Sequence, residues 1–233
     1  MGEIALRPGL LLRQEEGFFP LGQDTVLLAY FAAPRAAGRG LDLGAGQGFL
    51  GILTALRNPK LKLEGLELQP EAATVAEQNA ARAGIPFPVA VGDLRALPKA
   101  LYGRYDFILC NPPYFGEKRG KTAKNPALAQ ARCDLGAEIG QVCAAAFSAL
   151  KTGGKLFLCF PPMRLAPLLA AMAEHRLEPK RLRTVQLRPD TPPVLLLTEA
   201  VKQGGEGLEW LPPLLLRDEN GTESREYRAI YEG

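Results

Sequence analysis

The residues with the clearest chemistry are Asn111-Pro112-Pro113-Tyr114, followed by Phe115. They come directly after Tyr105-Asp106-Phe107-Ile108-Leu109-Cys110, a short apolar run of strand type. Two consecutive prolines fix two φ angles and remove two backbone donors. The turn is stiffened, and the Pro112 carbonyl is left to accept a hydrogen bond from a ligand. Such a turn suits a planar exocyclic amine, whose lone pair is delocalised and whose nitrogen is a poor nucleophile. Asn111 Oδ1 and the Pro112 carbonyl would accept its two N–H groups and favour a pyramidal nitrogen, while Tyr114 would stack on the base. Catalysis of this kind is positioning plus electrostatic preorganisation, with no general base. A plain tight turn, for which Asn-Pro and Pro-Pro are common, leaves the aromatic pair Tyr114-Phe115 unexplained.

A second constellation lies upstream. In Leu41-Asp42-Leu43-Gly44-Ala45-Gly46-Gln47-Gly48 the glycines stand at alternate positions after a short apolar run. Glycine lets the backbone turn sharply and approach a ligand closely. Glu67 ends the next apolar run, 23 residues after Gly44, where a carboxylate can accept both hydroxyls of a ribose. Gly46-Gln47-Gly48-Phe49-Leu50-Gly51 literally matches the dinucleotide fingerprint, but the turn itself starts two residues earlier, at Gly44. Asp42 decides between the cofactors: it would repel a pyrophosphate and suits an ammonium group. S-adenosyl-L-methionine has an amino-acid end and no phosphate, so it is the expected cofactor, held by Asp42, Gly44, Gly46, Gly48 and Glu67. Asp93, after a third apolar run, reads either as a contact to the cofactor's adenine amine or as a helix cap, and both stay open. No metal site is expected from four cysteines without a C-x-x-C pair and a single histidine.

Both constellations need a scaffold that gathers strand ends. Strand-like runs fall at 40–43, 61–66, 87–91, 105–110, 155–160, 181–187 and 194–200, with helical patterns at 48–57, 70–83, 136–150 and 163–175. Pro70 and Glu71 open one helix and Gly84 closes it; Asp134 is the expected cap of another. This alternation predicts an α/β fold: a doubly wound, Rossmann-like, mostly parallel seven-stranded sheet whose last two strands form a closing antiparallel hairpin. The glycine loop and Asn111 then sit at the carboxyl ends of neighbouring strands. Residues 1–37 read as an N-terminal extension with one helix starting after Asp24, and residues 38–233 as the cofactor-binding domain.

The 233 residues carry a net charge of +3 with 47% hydrophobic residues, an ordinary globular balance. The charge is uneven. Lys118, Arg119, Lys121, Lys124 and Arg132 against Glu117 give the segment 116–132 a charge of +4, in a stretch without periodicity that reads as a mobile loop. A second basic stretch holds Arg176, Lys180, Arg181, Arg183 and Arg188. Three of the four cysteines (Cys110, Cys133, Cys143, Cys159) sit among apolar neighbours and read as core residues. Trp210 reads as packing and His175 as a helix-end residue. No signal peptide and no apolar run of membrane-spanning length is legible, so a soluble cytoplasmic protein that does not engage a membrane is expected, a monomer by default.

Asp42–Gly48, Glu67, Asp93 and Asn111–Tyr114 resemble the cofactor and catalytic motifs of class I amino methyltransferases. Further residues extend the resemblance. Gly17-Phe18, Gly22-Gln23-Asp24-Thr25-Val26-Leu27-Leu28-Ala29, Asn111–Phe115, Ala131-Arg132 and Asp218-Glu219-Asn220-Gly221-Thr222-Glu223 are similar to the bacterial tRNA adenine-N6 methyltransferase family that modifies valine tRNA. The chain departs from it at Cys133, where that family often has histidine, and at Phe18-Phe19-Pro20-Leu21. The resemblance implies a class I methyltransferase domain over 38–233, transfer of a methyl group to N6 of an adenine, and a structured RNA, a tRNA, as partner. Asn111, Pro112 and Tyr114 would be catalytic, and Phe115, Lys118, Arg119, Lys121, Lys124 and Arg132 would meet the RNA. Arg181 and Arg183 are expected to help hold it. The alternatives are a protein glutamine-N5 methyltransferase, against which the 41 residues before Asp42 count, an rRNA guanine-N2 methyltransferase, and a noncatalytic cofactor-binding RNA module.

Overall fold

The computed structural model describes residues 2–7, 10–112 and 139–232. The chain opens with an antiparallel hairpin, β1 (Gly2–Arg7) and β2 (Leu10–Gln14), followed by helix α1 (Gln23–Ala32). The central order is then β3 (Arg39–Leu43), α2 (Phe49–Arg57), β4 (Lys62–Glu67), α3 (Pro70–Ala83), β5 (Val89–Val91) and β6 (Tyr105–Cys110). After it come α4 (Ile139–Ala149), β7 (Leu150–Phe160), α5 (Leu165–Glu174), β8 (Leu177–Gln186), β9 (Pro193–Lys202), β10 (Glu209–Leu215) and α6 (Arg225–Glu232).

Eight strands form one sheet in the order β10-β8-β9-β7-β6-β3-β4-β5, in which β9 runs antiparallel to β7 and β8 and the other pairs are parallel. The order reverses around β3, whose neighbours are β4 and β6, and ligands of open α/β sheets bind at such a switch point. Side chains alternate across the sheet. Phe107, Leu109, Phe157 and Cys159 face the cluster built by α1, α2, α3 and the hairpin, while Ile108, Cys110, Leu156, Leu158 and Phe160 face the one built by α4 and α5. Phe157 meets Phe31 and Phe107 edge-on at 6.4 Å each, an arrangement worth ~0.5–1.5 kcal/mol per pair beyond burial.

The expected doubly wound sheet and closing hairpin are present, with differences at both ends. An eighth strand, β10, adds to β8 in parallel; its Leu211-Pro212-Pro213-Leu214 interrupts the register and disguises it as a turn. Trp210 lies on this edge strand and is 58% exposed, so it does not pack as expected. The extension 1–37 carries a strand hairpin besides its helix, held by Leu10 and Leu12 in the core. Cys110, Cys143 and Cys159 are buried, as core residues should be, and burial pushes the Cys143 thiol up to about 12. Asp134 and Cys133 lie outside the described residues. His175 closes α5, its backbone N–H donating to the Ala171 carbonyl at 3.2 Å.

Candidate active site

The end of β3 and the loop after it form the floor of a cavity of about 290 Å³. Gly44 and Gly46 hold φ of 76° and 53°, a region that L side chains enter at a cost. The Gly44 and Ala45 N–H groups both donate to the Leu66 carbonyl, at 2.9 and 3.1 Å, so the loop is laced to β4. Asp42 is 1% exposed, and its Oδ2 accepts the Gly51 N–H of α2 at 2.9 Å. Burial pushes this carboxyl up to about 7, the Gly51 N–H pulls it back in part, and the nearby Glu67 charge raises it again.

Glu67, at the end of β4, is held at both oxygens. Oε2 accepts the Gly46 N–H at 2.7 Å and Oε1 accepts the Gln69 N–H at 3.0 Å. The carboxylate is thereby fixed at the cavity wall rather than free to rotate. Across the floor, Asn111 and Pro112 extend β6 into the cavity lining. Asn111 Nδ2 donates to Thr25 Oγ1 at 2.9 Å, and the Cys159 thiol lies 3.1 Å from Asn111 Oδ1 as its donor.

A third wall comes from the N-terminal segment. Phe18, Phe19, Pro20, Gly22, Asp24 and Thr25 all line the cavity. Two buried amides hold this segment in place. Gln47 Nε2 donates to the Phe19 carbonyl at 2.9 Å and its Oε1 accepts the Glu15 N–H at 2.7 Å. Asn79 of α3 accepts the Arg13 N–H and donates to the Arg13 and Gln47 carbonyls. Buried amides persist only when satisfied in this way, so the glycine loop, α3 and the N-terminal wall form one hydrogen-bonded unit. Sequence reasoning missed Gln47, Phe19, Thr25 and Asn79 as site residues. The polar Gln47 between two loop glycines was the available signal.

Of the residues expected at the site, Asp42, Gly44, Gly46, Glu67, Asn111 and Pro112 meet at this cavity. Gly48 and Asp93 are not among its lining residues. Gly48 caps α2 with φ of 85°, and a Cβ there would stand 3.0 Å from Ala76 Cβ, so this glycine serves the packing of α2 on α3. Asp93 caps a short 3-10 turn through the Arg95 N–H and pairs with the Arg95 side chain at 2.7 Å; that hydrogen bond holds its carboxyl below the usual range. The adjacent Leu94 lines the cavity. Tyr114, Phe115, Lys118, Arg119, Lys121, Lys124 and Arg132 lie outside the described residues. Arg183 grips Glu226 through both terminal nitrogens, at 2.6 and 2.8 Å, and Arg181 pairs with the buried Glu199 at 3.3 Å. Both arginines are therefore committed to internal carboxylates, against the expectation that they serve a phosphate backbone.

The charge of the lining discriminates among cofactors. Among the described residues the cavity is bordered by three carboxylates (Asp24, Asp42 and Glu67) and by no lysine or arginine. A pyrophosphate would meet only like charge there. A ligand with an ammonium group, a sulfonium and a ribose fits the same donor set, so S-adenosyl-L-methionine suits the residues present. No cluster of metal-ligating side chains occurs among the described residues, nor any helix long and apolar enough to cross a membrane.

Comparison with known proteins agrees with the geometry. Residues 21–169 match the family described as "Methyltransferase small domain". A tRNA1(Val) (adenine(37)-N6)-methyltransferase from Porphyromonas gingivalis is 34% identical over 190 residues, covering 77% of this chain and 73% of that protein. One from Shewanella loihica is 29% identical over 224 residues, covering 91% and 90%. Among solved structures, the protein Atu636 from Agrobacterium tumefaciens, a predicted O-methyltransferase, superposes with a TM-score of 0.72 at 24% identity, covering 90% of this chain and 95% of that one.

Proposed function

We propose, from the premise that this chain belongs to the methyltransferase small domain family and within it to the tRNA1(Val) (adenine(37)-N6)-methyltransferases, that it methylates N6 of the adenine at position 37 of a tRNA. The observation that carries this reading is the junction of two features in one cavity: a lining that holds carboxylates and no cation among the described residues, and the Asn111-Pro112 turn at its edge. S-adenosyl-L-methionine, when bound, supplies an electrophilic methyl group. The chain's own residues bind and orient. Glu67, fixed at both oxygens by backbone N–H groups, presents its remaining lone pairs to ribose hydroxyls. Asp42 takes the ammonium end, and a cation beside it restores its ionised form. Asn111 Oδ1 and the Pro112 carbonyl accept the two amine protons of the target base, and Tyr114 stacks on its ring. These contacts align the nitrogen and raise its electron density.

The target base must leave its stack to reach this turn, which costs least in a loop of the RNA. The cationic segment 116–132 follows the turn directly in sequence, and its lysines and arginines meet the phosphates on either side of the extruded base. The working form is a cytoplasmic monomer. The test is incubation of the protein with labelled S-adenosylmethionine and separate tRNA, rRNA and protein fractions, followed by nucleoside and amino-acid analysis. Label in N6-methyladenosine of tRNA, lost when position 37 is changed to guanine, is the expected result. Label in N2-methylguanosine or in methylglutamine would overturn the substrate while leaving the family in place.

A further inference from the structure

Three elements that are distant in sequence meet at the Asn111 side chain. β6 delivers Asn111, the first turn of α1 delivers Thr25, and the neighbouring strand β7 delivers Cys159. Thr25 is 8% exposed and Cys159 fully buried. An amide side chain can be turned over about its last torsion, which exchanges its oxygen for its nitrogen. For an asparagine that must offer an acceptor to an amine, the two orientations are opposite in function: one presents an oxygen, the other a donor that would repel the N–H groups.

Two hydrogen bonds hold the amide as it stands. The Thr25 hydroxyl oxygen stands 2.9 Å from Asn111 Nδ2 and accepts its hydrogen bond. The Cys159 thiol stands 3.1 Å from Asn111 Oδ1 and donates to it. Turned over, the nitrogen would face the thiol sulfur, a weak acceptor, and the oxygen would face the Thr25 hydroxyl, which can also donate, so the two bonds fix the place of the side chain. Burial keeps water from replacing Cys159. A thiol is a weak donor, so it leaves the oxygen able to accept from a ligand.

We propose that Thr25 is a positioning residue for Asn111: its hydroxyl, with the Cys159 thiol, fixes the amide side chain where its oxygen can meet the substrate amine. This rests on the reading of Asn111 as an amine acceptor. It also gives the N-terminal helix a catalytic duty beyond forming the cavity wall, because α1 sets the angle of the group that β6 supplies.

The test compares Thr25→Val, Thr25→Ser, Asn111→Ala and the double variant Thr25→Val/Asn111→Ala by single-turnover methylation of tRNA. Donor affinity is measured by calorimetry, and thermal melting checks folding. Thr25→Val keeps the shape and removes the acceptor, so the methyl-transfer rate should fall about tenfold while donor affinity stays within about twofold. Thr25→Ser should recover most of that rate. In the Asn111→Ala background, Thr25→Val should cost nothing further, the signature of two residues acting as one unit. A wild-type rate in Thr25→Val, or an undiminished effect of it in the Asn111→Ala background, would overturn the positioning role while leaving Asn111 as acceptor. Full turnover in Asn111→Ala alone would overturn the acceptor reading itself, and the positioning role with it.

Discussion

Glu67 Oε2 accepts the Gly46 N–H at 2.7 Å, which ties the end of β4 to the loop that follows β3. The contact makes one carboxylate serve two ends: it shapes the loop and is itself oriented by it. Glu67→Ala should therefore weaken S-adenosylmethionine binding by about 2–3 kcal/mol, the scale for losing charge-assisted hydrogen bonds. Calorimetry on the variant checks this, and unchanged affinity would remove Glu67 from the site. Tight binding of NADH by the unaltered protein would contradict the cofactor assignment as a whole.

Asn111→Ala should leave donor affinity nearly intact while turnover drops on the order of 10²–10³-fold, as for the loss of one preorganised polar group. Tyr114→Ala should remove stacking worth ~1–3 kcal/mol, whereas Tyr114→Phe should be mild because stacking needs only the ring. Steady-state kinetics with tRNA separates the two tyrosine variants. Equal inactivity of both would assign the hydroxyl a role that stacking does not provide.

Asp42 gives a dependence on pH with a definite sign. Its carboxyl titrates near 7 in the fold, against 3.8 when exposed, because burial disfavours the charge. The folded state thus binds the proton more tightly, and the stability tied to that proton is complete below 3.8 and lost as pH rises toward about 7. Asp42→Asn keeps an oxygen for the Gly51 N–H and abolishes the charge. In melts of the ligand-free protein the variant should gain on the unaltered chain between pH 5 and pH 8, and it should bind S-adenosylmethionine poorly at every pH. A melting difference that does not change with pH would show that Asp42 is not the titrating group.

Gln47→Ala removes two partly buried hydrogen bonds to the N-terminal wall, those to Glu15 and Phe19. Their backbone partners would be left unsatisfied at a cost of about 1–3 kcal/mol each. The wall carrying Phe18, Phe19 and Pro20 should loosen, so donor affinity should fall although Gln47 need not touch the donor. Limited proteolysis with and without S-adenosylmethionine reads this directly: cleavage within 15–22 should become faster in the variant and be slowed by ligand. Equal cleavage in the variant and the unaltered protein would mean the wall holds without the amide.

Replacing Lys118, Arg119, Lys121 and Lys124 together by alanine should weaken tRNA binding and flatten its dependence on salt, since each phosphate contact releases counterions. Donor affinity should not change. Methylation of tRNA at the unaltered rate in physiological salt would show that this segment does not carry the RNA.

The parts legible in the sequence were those fixed by local chemistry. Alternating apolar runs gave the central strands to within a few residues, Pro70 and Gly84 bounded α3, and Gly44, Gly46, Glu67 and Asn111 declared themselves through spacing. The illegible parts depend on partners far away in the chain. β10 is absent from the strand-like runs legible in the sequence, because its two prolines break the pattern and its strand character comes from pairing with β8. Arg183 looks like a free cation until Glu226 is placed beside it, 43 residues later. Thr25 is an unremarkable helix residue until β6 and β7 bring Asn111 and Cys159 to its hydroxyl.

The helix that supplies Thr25 is anchored by the far end of the molecule. Gln23 Nε2 donates to the Tyr227 hydroxyl at 2.5 Å, and the Tyr30 hydroxyl donates to Glu226 at 3.4 Å, across 204 and 196 residues of sequence. A ribosome therefore releases α1 long before its supports exist. A nascent chain bearing every strand of the sheet still lacks α6, and contacts of such long sequence separation form late. The support that α1 receives from Tyr227 and Glu226 is thus complete only once α6 has been made.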